Sequence, residues 1–260
     1  MATGTNGIAT EGEAKEKLGY SGSVDTNKCC TKARAVAMGA DSSKLTSYKD
    51  NQLVKYSDLY QAGLDPDIAP YGVYICDNKG RLWKREDWDT ASNSKASGVA
   101  VIVNAYYKFV IAKEEQKGIE WGGYGTLINF CITTTDLNIA KTDYNGKDNT
   151  DAIIAQLGES EAYAARYCKE YVFPHGVKGY LPALGELYKA YQNKSEVDAC
   201  MSLIGGKPLY DSSISNYRKW SSTQCNNNTA WSLNWYDGNI TNLINKNQKY
   251  YDVRPFAPFK

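Results

Sequence analysis

His175 is the only histidine in 260 residues, and it sits in "FPHGVKGY", a loop punctuated by Pro and Gly. A lone imidazole titrates near neutral pH and can serve as base, shuttle or ligand, but this sequence sets no nucleophile or metal-ligand cluster beside it. The expectation is a local hydrogen bond or a surface role. Seven cysteines, at 29, 30, 76, 131, 168, 200 and 225, form an odd set without CxxC or Cys/His metal spacing. They read as reduced thiols acting as small core residues. The adjacent pair Cys29 and Cys30 is expected to stay open, since neighbouring cysteines bridge only with strain. Asp143, Asp148 and Asp151 in "KTDYNGKDNTD" come nearest to a calcium loop but lack the EF-hand spacing. GxGxxG, GxxxxGK[ST], HExxH and GxSxG do not occur. The chain is therefore read as having no catalytic residue, no metal and no cofactor.

Recognition chemistry is better supplied. Residues 219–256, "KWSSTQCNNNTAWSLNWYDGNITNLINKNQKYYDVRPF", set fixed-looking punctuation (Trp220 to Thr223, Ala230-Trp231, Gly238, Val253 to Phe256) among Asn, Lys and Tyr. Residues 226–247 hold eight Asn in 22 positions, while the other 238 residues hold twelve. Turns favour Asn in any case. Asn also offers both a donor and an acceptor, and Tyr gives large contact area at small entropic cost. The 21 Tyr against 5 Phe point the same way, because a ring carrying a hydroxyl tolerates partial exposure.

Such a face needs a scaffold, and the chain is long enough to bury one. Lys and Arg total 30 against 29 acidic residues, so no basic field recruits nucleic acid. No apolar run reaches the ~18 residues of a membrane span, so neither nucleic-acid binding nor membrane insertion is expected. Residues 1–24 are rich in Gly, Ser, Thr and Lys, and the first ten, "MATGTNGIAT", read as a disordered lead or a joint to something upstream. A weak repeat follows in "TNKCCTKARAVAMG" (26–39) and "DNQLVKYSDLYQAG" (50–63), which suggests a small module over residues 1–65. "GLDPDIAPYG" (63–72) marks a boundary. Beyond it, "YGVYICDNKGRLWKREDW" predicts a hairpin around an Asp-Asn-Lys-Gly turn, and 98–112 supplies two more apolar runs about Asn104. "NTDAIIAQLGESEAYAARYCKEY" predicts a helix opened by a Thr/Asp cap and interrupted at Gly158. "LPALGELYKAY" predicts a second helix, with Pro182 near its first turn. After Gly205-Gly206 only short strands and long polar loops are expected.

"GYLPALGELYKAY" (179–191), "KWSST", Ala230-Trp231, Gly238 and "VRPF", in this order and spacing, resemble the C-terminal half of a C-type-lectin-like domain of the formylglycine-generating-enzyme subtype. More narrowly they resemble the variable proteins of diversity-generating retroelements, a group of phage receptor-binding and bacterial surface proteins. The resemblance is strongest over 179–260, extends back to about 70 and does not reach residues 1–65. It implies an α+β fold with a mainly antiparallel sheet, two helices and long C-terminal loops, over residues 66–260. It also implies a variable region at about 217–251, where Asn marks an unmutated adenine-rich codon. Formylglycine-generating enzymes use a pair of catalytic cysteines near the C-terminus; here Cys225 stands alone, so a retained fold with a different site is expected.

The candidate ligand contacts are Tyr217, Lys219, Gln224, Asn226, Asn227, Asn228 and Asn234, followed by Tyr236, Asn239, Asn242, Asn245, Asn247, Lys249 and Tyr250. Trp220 and Trp231 are expected to form the floor, Arg254 to anchor the last strand, and Trp235 to belong either to the floor or to the exposed face. The expected partner is a protein or glycan receptor on a target cell surface. Residues 1–65 are expected to attach the chain to a multimeric carrier, a phage tail or a surface appendage. The absence of a charged-then-apolar leader favours the virion over the cell surface. The alternatives are an enzyme using Cys225 or His175, or a structural appendage component.

Overall fold

The computed structural model describes residues 32–37, 40–52, 72–89, 95–103, 107–209 and 218–259, together with Val54, Asp58 and Ala62. The chain is α+β, with antiparallel strand pairs in two sheets and short helices between them. Strands β1 (Gly72–Asp77) and β2 (Leu82–Trp83) form the expected hairpin, with Ile75 opposite Trp83. Asp77 builds its turn. One carboxylate oxygen accepts from Lys79 N and Arg81 N, and the other from Arg81 Nε at 2.6 Å and Trp83 Nε1 at 3.0 Å. Gly80, at φ 75°, supplies the left-handed step the turn requires. Strands β3 (Ala96–Ile102) and β4 (Lys108–Ala112) continue the sheet on either side of residues 104–106, which lie outside the described residues.

Every residue of β3 is buried because both faces of the sheet are covered. Val99 and Val101 face one cluster with Ile75 and Ile111, while Ala100 and Ile102 face another with Tyr74 and Val110. The second cluster also holds Ala35, Ala40, Leu45, Val54 and Ala62. The described part of the expected N-terminal module thus shares a core with the first sheet. Helix α1 (Lys32–Ala37) falls in the first copy of the weak repeat. Most of the second copy, the boundary at 63–71 and Cys29-Cys30 lie outside the described residues.

More helices form than the two expected. They are α2 (Leu137–Ala140), α3 (Gly146–Leu157), α4 (Ala164–Glu170), α5 (Leu184–Gln192) and α6 (Lys194–Leu203). The Thr/Asp cap is corrected. Helix α3 opens four residues before Thr150, whose hydroxyl lies inside the helix and donates to Gly146 O. Gly146 occupies that first turn because a Cβ there would lie 2.7 Å from Ala183 N and 2.2 Å from a Glu186 oxygen. Gly158, at φ 76°, ends the helix as anticipated. Pro182 lies just before the N-cap residue, Ala183, rather than inside α5.

A second sheet runs in the order β5 (Arg218–Gln224), β6 (Ala230–Asn234), β7 (Ile240–Thr241). The chain then returns to the first sheet, where β8 (Phe256–Pro258) pairs with β4 and Phe256 stacks on Phe109 at 4.8 Å between ring centres. A third cluster joins α3 and α4 to β5 through Ile153, Tyr163, Trp220 and Val253.

Candidate functional site

Strand β5 is buried along almost its whole length, so its polar side chains must find partners. Ser221 Oγ donates to Trp231 O at 2.8 Å, and Thr223 Oγ1 donates to Asp143 Oδ2 at 2.7 Å. Ser222 Oγ accepts from Asn149 Nδ2 at 3.2 Å, and Thr223 Oγ1 also accepts from Leu184 N. The small hydroxyls let α3, α5 and β6 close in around the strand. The indoles tie the loops down: Trp121 Nε1 donates to Ser221 O, Trp220 Nε1 to Ile119 O and Trp231 Nε1 to Thr134 O. Trp235, open between floor and exposed face in the sequence, is fully buried.

Beneath the face lies a buried ion network. Lys219 Nζ meets Asp252 at 2.9 Å and Glu115 at 3.2 Å, and Arg254 meets Glu115 at 3.1 Å. Arg254 also donates to Lys207 O and Pro208 O, so it anchors the approach to β8 through both an ion pair and hydrogen bonds. Both cations stand over the Trp235 ring, at 5.8 and 5.5 Å. Burial alone would push the Glu115 carboxyl up, but the Lys219 and Arg254 charges outweigh it and hold it below the usual range. Lys219 was expected as a surface contact. At 2% exposure it is a structural cation whose ammonium is shared by two buried carboxylates.

Gln224 is corrected in the same way. Its amide brackets Ile128, accepting from Ile128 N at 3.1 Å and donating to Ile128 O at 2.6 Å. It also donates to Thr133 Oγ1 and accepts from Lys246 Nζ at 3.0 Å. Its polar capacity is used inside the protein, leaving nothing for a ligand. Lys246, which sequence reasoning passed over, is fully buried; its Nζ also donates to Thr126 O at 3.0 Å and stands 4.3 Å from the Trp121 ring centre. No carboxylate pairs with it among the described residues, and burial pushes its ammonium down to about 8. A lysine in the polar run "NKNQK" carries no signal of burial.

The remaining candidates gather on the turns that leave this floor. Asn226, Asn227, Tyr236, Asn239, Asn247, Lys249 and Tyr250 are exposed, and Asn228, Asn234, Asn242 and Asn245 are half-buried. Tyr217 lies outside the described residues. Several of these amides shape their own turns. Asn226 Oδ1 accepts from Asn228 N and Thr229 N, Asn234 Oδ1 from Tyr236 N, and Asn239 Oδ1 from Arg218 Nη2. The outer surface is thus a set of side-chain-supported turns on a floor of tryptophans and buried ions.

Groups with reactive chemistry lie elsewhere or are covered. Cys225 is buried beneath Asn226 and Asn242, whose amides donate to its Sγ at 3.7 and 3.2 Å. His175 Nδ1 is hydrogen-bonded to Ser97 Oγ at 2.5 Å. Asp143 accepts from Asn145 N, Asn149 Nδ2 and Thr223 Oγ1, and Asp151 pairs with Lys147 and Lys169, so the aspartates of the calcium reading go separate ways. The five described cysteines, Cys76, Cys131, Cys168, Cys200 and Cys225, are all buried. Burial, with the Asp143 charge adding to it, pushes the Cys131 thiol up to about 12. The same causes raise the Glu186 carboxyl to about 8. No helix among the described residues is long and apolar enough to cross a membrane.

No protein-family model matches the chain, and no curated protein matches it. Among solved structures, a fimbrial protein from Bacteroides ovatus aligns with a TM-score of 0.43 and 14% identity. The alignment covers 72% of this chain and 43% of the fimbrial protein, so the chain spans less than half of that protein's length.

Proposed function

We propose that this chain is a non-enzymatic binding protein, a C-type-lectin-like domain whose Asn- and Tyr-rich turns form a diversifiable ligand-binding face. The observation that carries the reading is the partition of residues 219–256. Trp220, Trp231, Trp235 and Arg254 are all at most 4% exposed, whereas Asn226, Asn227, Tyr236, Asn239, Asn247 and Tyr250 are exposed. A face that changes by codon mutagenesis must do so without unfolding its scaffold, and exposed substitutions usually cost no more than about 0.5 kcal/mol. The burial of Cys225 fits a binder better than an enzyme, since its sulfur would have to be uncovered before it could attack a substrate. The ligand is a protein or glycan receptor on a target cell. Binding is multivalent, because unoptimised single contacts are weak and tethering several copies raises avidity by roughly 10² to 10⁴. A phage tail or a surface appendage would supply that array.

Sequencing the gene's neighbourhood tests the reading. A reverse transcriptase beside a near-copy of the codons for residues 217–251, differing from them at adenines, is the expected result. A locus without either, in strains whose differences fall on Trp220 and Trp231 as often as on the Asn positions, would overturn it.

A further inference from the structure

Residues 126–134 form a loop beside the Asn-bearing turns, and Phe130 in it runs against two ordinary preferences at once. It is 97% exposed, and it is the one residue other than glycine with positive φ among the described residues, at 61°. That region is costly for a side chain with a Cβ. The loop is nonetheless held at nearly every step. Gln156 of α3 donates to Leu127 O at 2.8 Å and accepts from Asn129 N at 2.9 Å. Gln224 brackets Ile128, and Cys131 Sγ donates to Ser222 O at 3.1 Å. Ile128 is thereby drawn inside at 1% exposure, while Leu127, at 49%, and Phe130 are left in solvent.

This loop is stitched to the variable turns. Lys246 Nζ donates to Thr126 O and its backbone N to Asn228 O, while Asn242 Nδ2 donates to Cys225 Sγ. Leu243, 80% exposed, projects from the last of these segments. The exposed surroundings are also poor in charge: Lys246 is fully buried, and the exposed Asp237 interrupts an otherwise uncharged stretch. Residues 121–135, 220–236 and 238–245 contain no Asp, Glu, Lys, Arg or His, in a chain that is 23% charged.

We infer that Phe130, Leu127 and Leu243 form a fixed apolar anchor at the edge of the variable face, and that its partner is a folded protein offering an uncharged apolar pocket for the phenyl ring. The inference rests on the binding reading above and adds the class of ligand to it. A charged partner group set against the Phe130 loop would lose its water and meet no exposed counter-ion in residues 121–135. Leucine side chains gain by burying apolar area, which the hydroxyls of a sugar do not offer. Protein interfaces have the same character at their centres, poor in charge and rich in aromatics. A backbone already held in an unfavourable conformation is pre-organised, so binding does not bear the cost of ordering it. The division of labour is then physical: the anchor supplies affinity common to all variants, and the Asn turns around it decide which protein is accepted.

The test uses the full chain and a displayed library of small folded domains with randomised surfaces, selected for binding to it. The selected domains are expected to be apolar and uncharged at their randomised positions and to lose about tenfold or more in affinity for Phe130→Ser or Leu243→Ser. Phe130→Gly should lose binding equally while melting at the same or a higher temperature, since glycine relieves the positive φ; this separates lost contact from lost fold. If the domains ignore Phe130→Ser but lose affinity for Asn227→Ala and Asn247→Ala, the anchor is wrong and the binding face stands. If they ignore all of these, both are wrong. Phe130-dependent binding to an array of neutral glycans would overturn the class of partner. Self-association that Phe130→Ser abolishes would make the occupant a second copy of this chain and overturn the inference as well.

Discussion

Glu186 and Lys246 together should give the protein a stability that falls and then recovers as pH rises through about 8. Glu186 is 5% exposed, and Tyr180 Oη and Ala183 N donate to its two oxygens at 2.7 Å each. Burial, opposed by these donors and reinforced by Asp143, moves the carboxyl from 4.5 to about 8. Between those values the folded chain holds a proton that the unfolded chain has released, so stability is full below the lower value and falls as pH rises through the upper one. At ~1.4 kcal/mol per tenfold in proton affinity the loss is on the order of 5 kcal/mol. Lys246 works in the other direction. Burial lowers its ammonium from 10.5 to about 8, so above that value the folded chain sheds its proton first and stability recovers, until above about pH 9 the buried thiols of Cys131, Cys168 and Cys200, which the fold keeps protonated, turn it down again. The opposing slopes of Glu186 and Lys246 place a local stability minimum near pH 8. Urea unfolding followed by the fluorescence of the six Trp, from about pH 5 to about pH 10, would trace the curve. Glu186→Gln should flatten the acid side and Lys246→Met the alkaline side. A Glu186→Gln protein that keeps the wild-type slope between about pH 5 and pH 8 would refute the reasoning, because the proton would then reside elsewhere.

Three further outcomes follow from the packing. Trp231→Ala should cost roughly 3 to 5 kcal/mol, since the ring is 4% exposed, whereas exposed Asn227→Ala should stay within about 0.5 kcal/mol; comparable midpoint shifts in denaturant would contradict the partition of floor and face. Lys219→Met should cost about 3 to 5 kcal/mol by leaving Glu115 and Asp252 buried without their ammonium, and a neutral result in equilibrium unfolding would return Lys219 to the surface. Gly238→Ala should destabilise by roughly 1 to 3 kcal/mol, because φ is 75° and a Cβ would lie 2.5 Å from the Tyr191 ring; thermal melting would register it.

Local signals carried much of the fold. The β1–β2 turn was legible because Asp77 and Gly80 supply its hydrogen bonds and its left-handed step through residues of the turn itself. The start of α3 was not, since the reason for Gly146 lies in Ala183 and Glu186, some forty residues away in the chain. Helix α6, "KSEVDACMSL", went unread for a related cause. Only Val197, Cys200 and Met201 are buried along it, a stripe too narrow for periodicity to stand out from its polar neighbours.

The division of residues 219–256 into buried floor and exposed turns was legible in kind but not residue by residue. Asn, Gln and Lys have the same letters whether they meet water or a buried partner, so composition located the region and left Lys219, Gln224 and Lys246 indistinguishable from surface residues. Hydrogen bonding separates them. It also grades the asparagines of the turns, which the sequence treats as equals. Asn226 and Asn234 each support a turn through their side-chain oxygen. Replacing either removes a local acceptor at a cost of about 0.5 to 1.5 kcal/mol. Among the described residues Asn227 makes no such bond, and Asn247 Oδ1 accepts only from the amide of its neighbour Gln248. Freedom to vary therefore differs from one asparagine to the next. A face of this design would explore partner chemistry most freely at Asn227 and Asn247, and would hold its shape through Asn226 and Asn234.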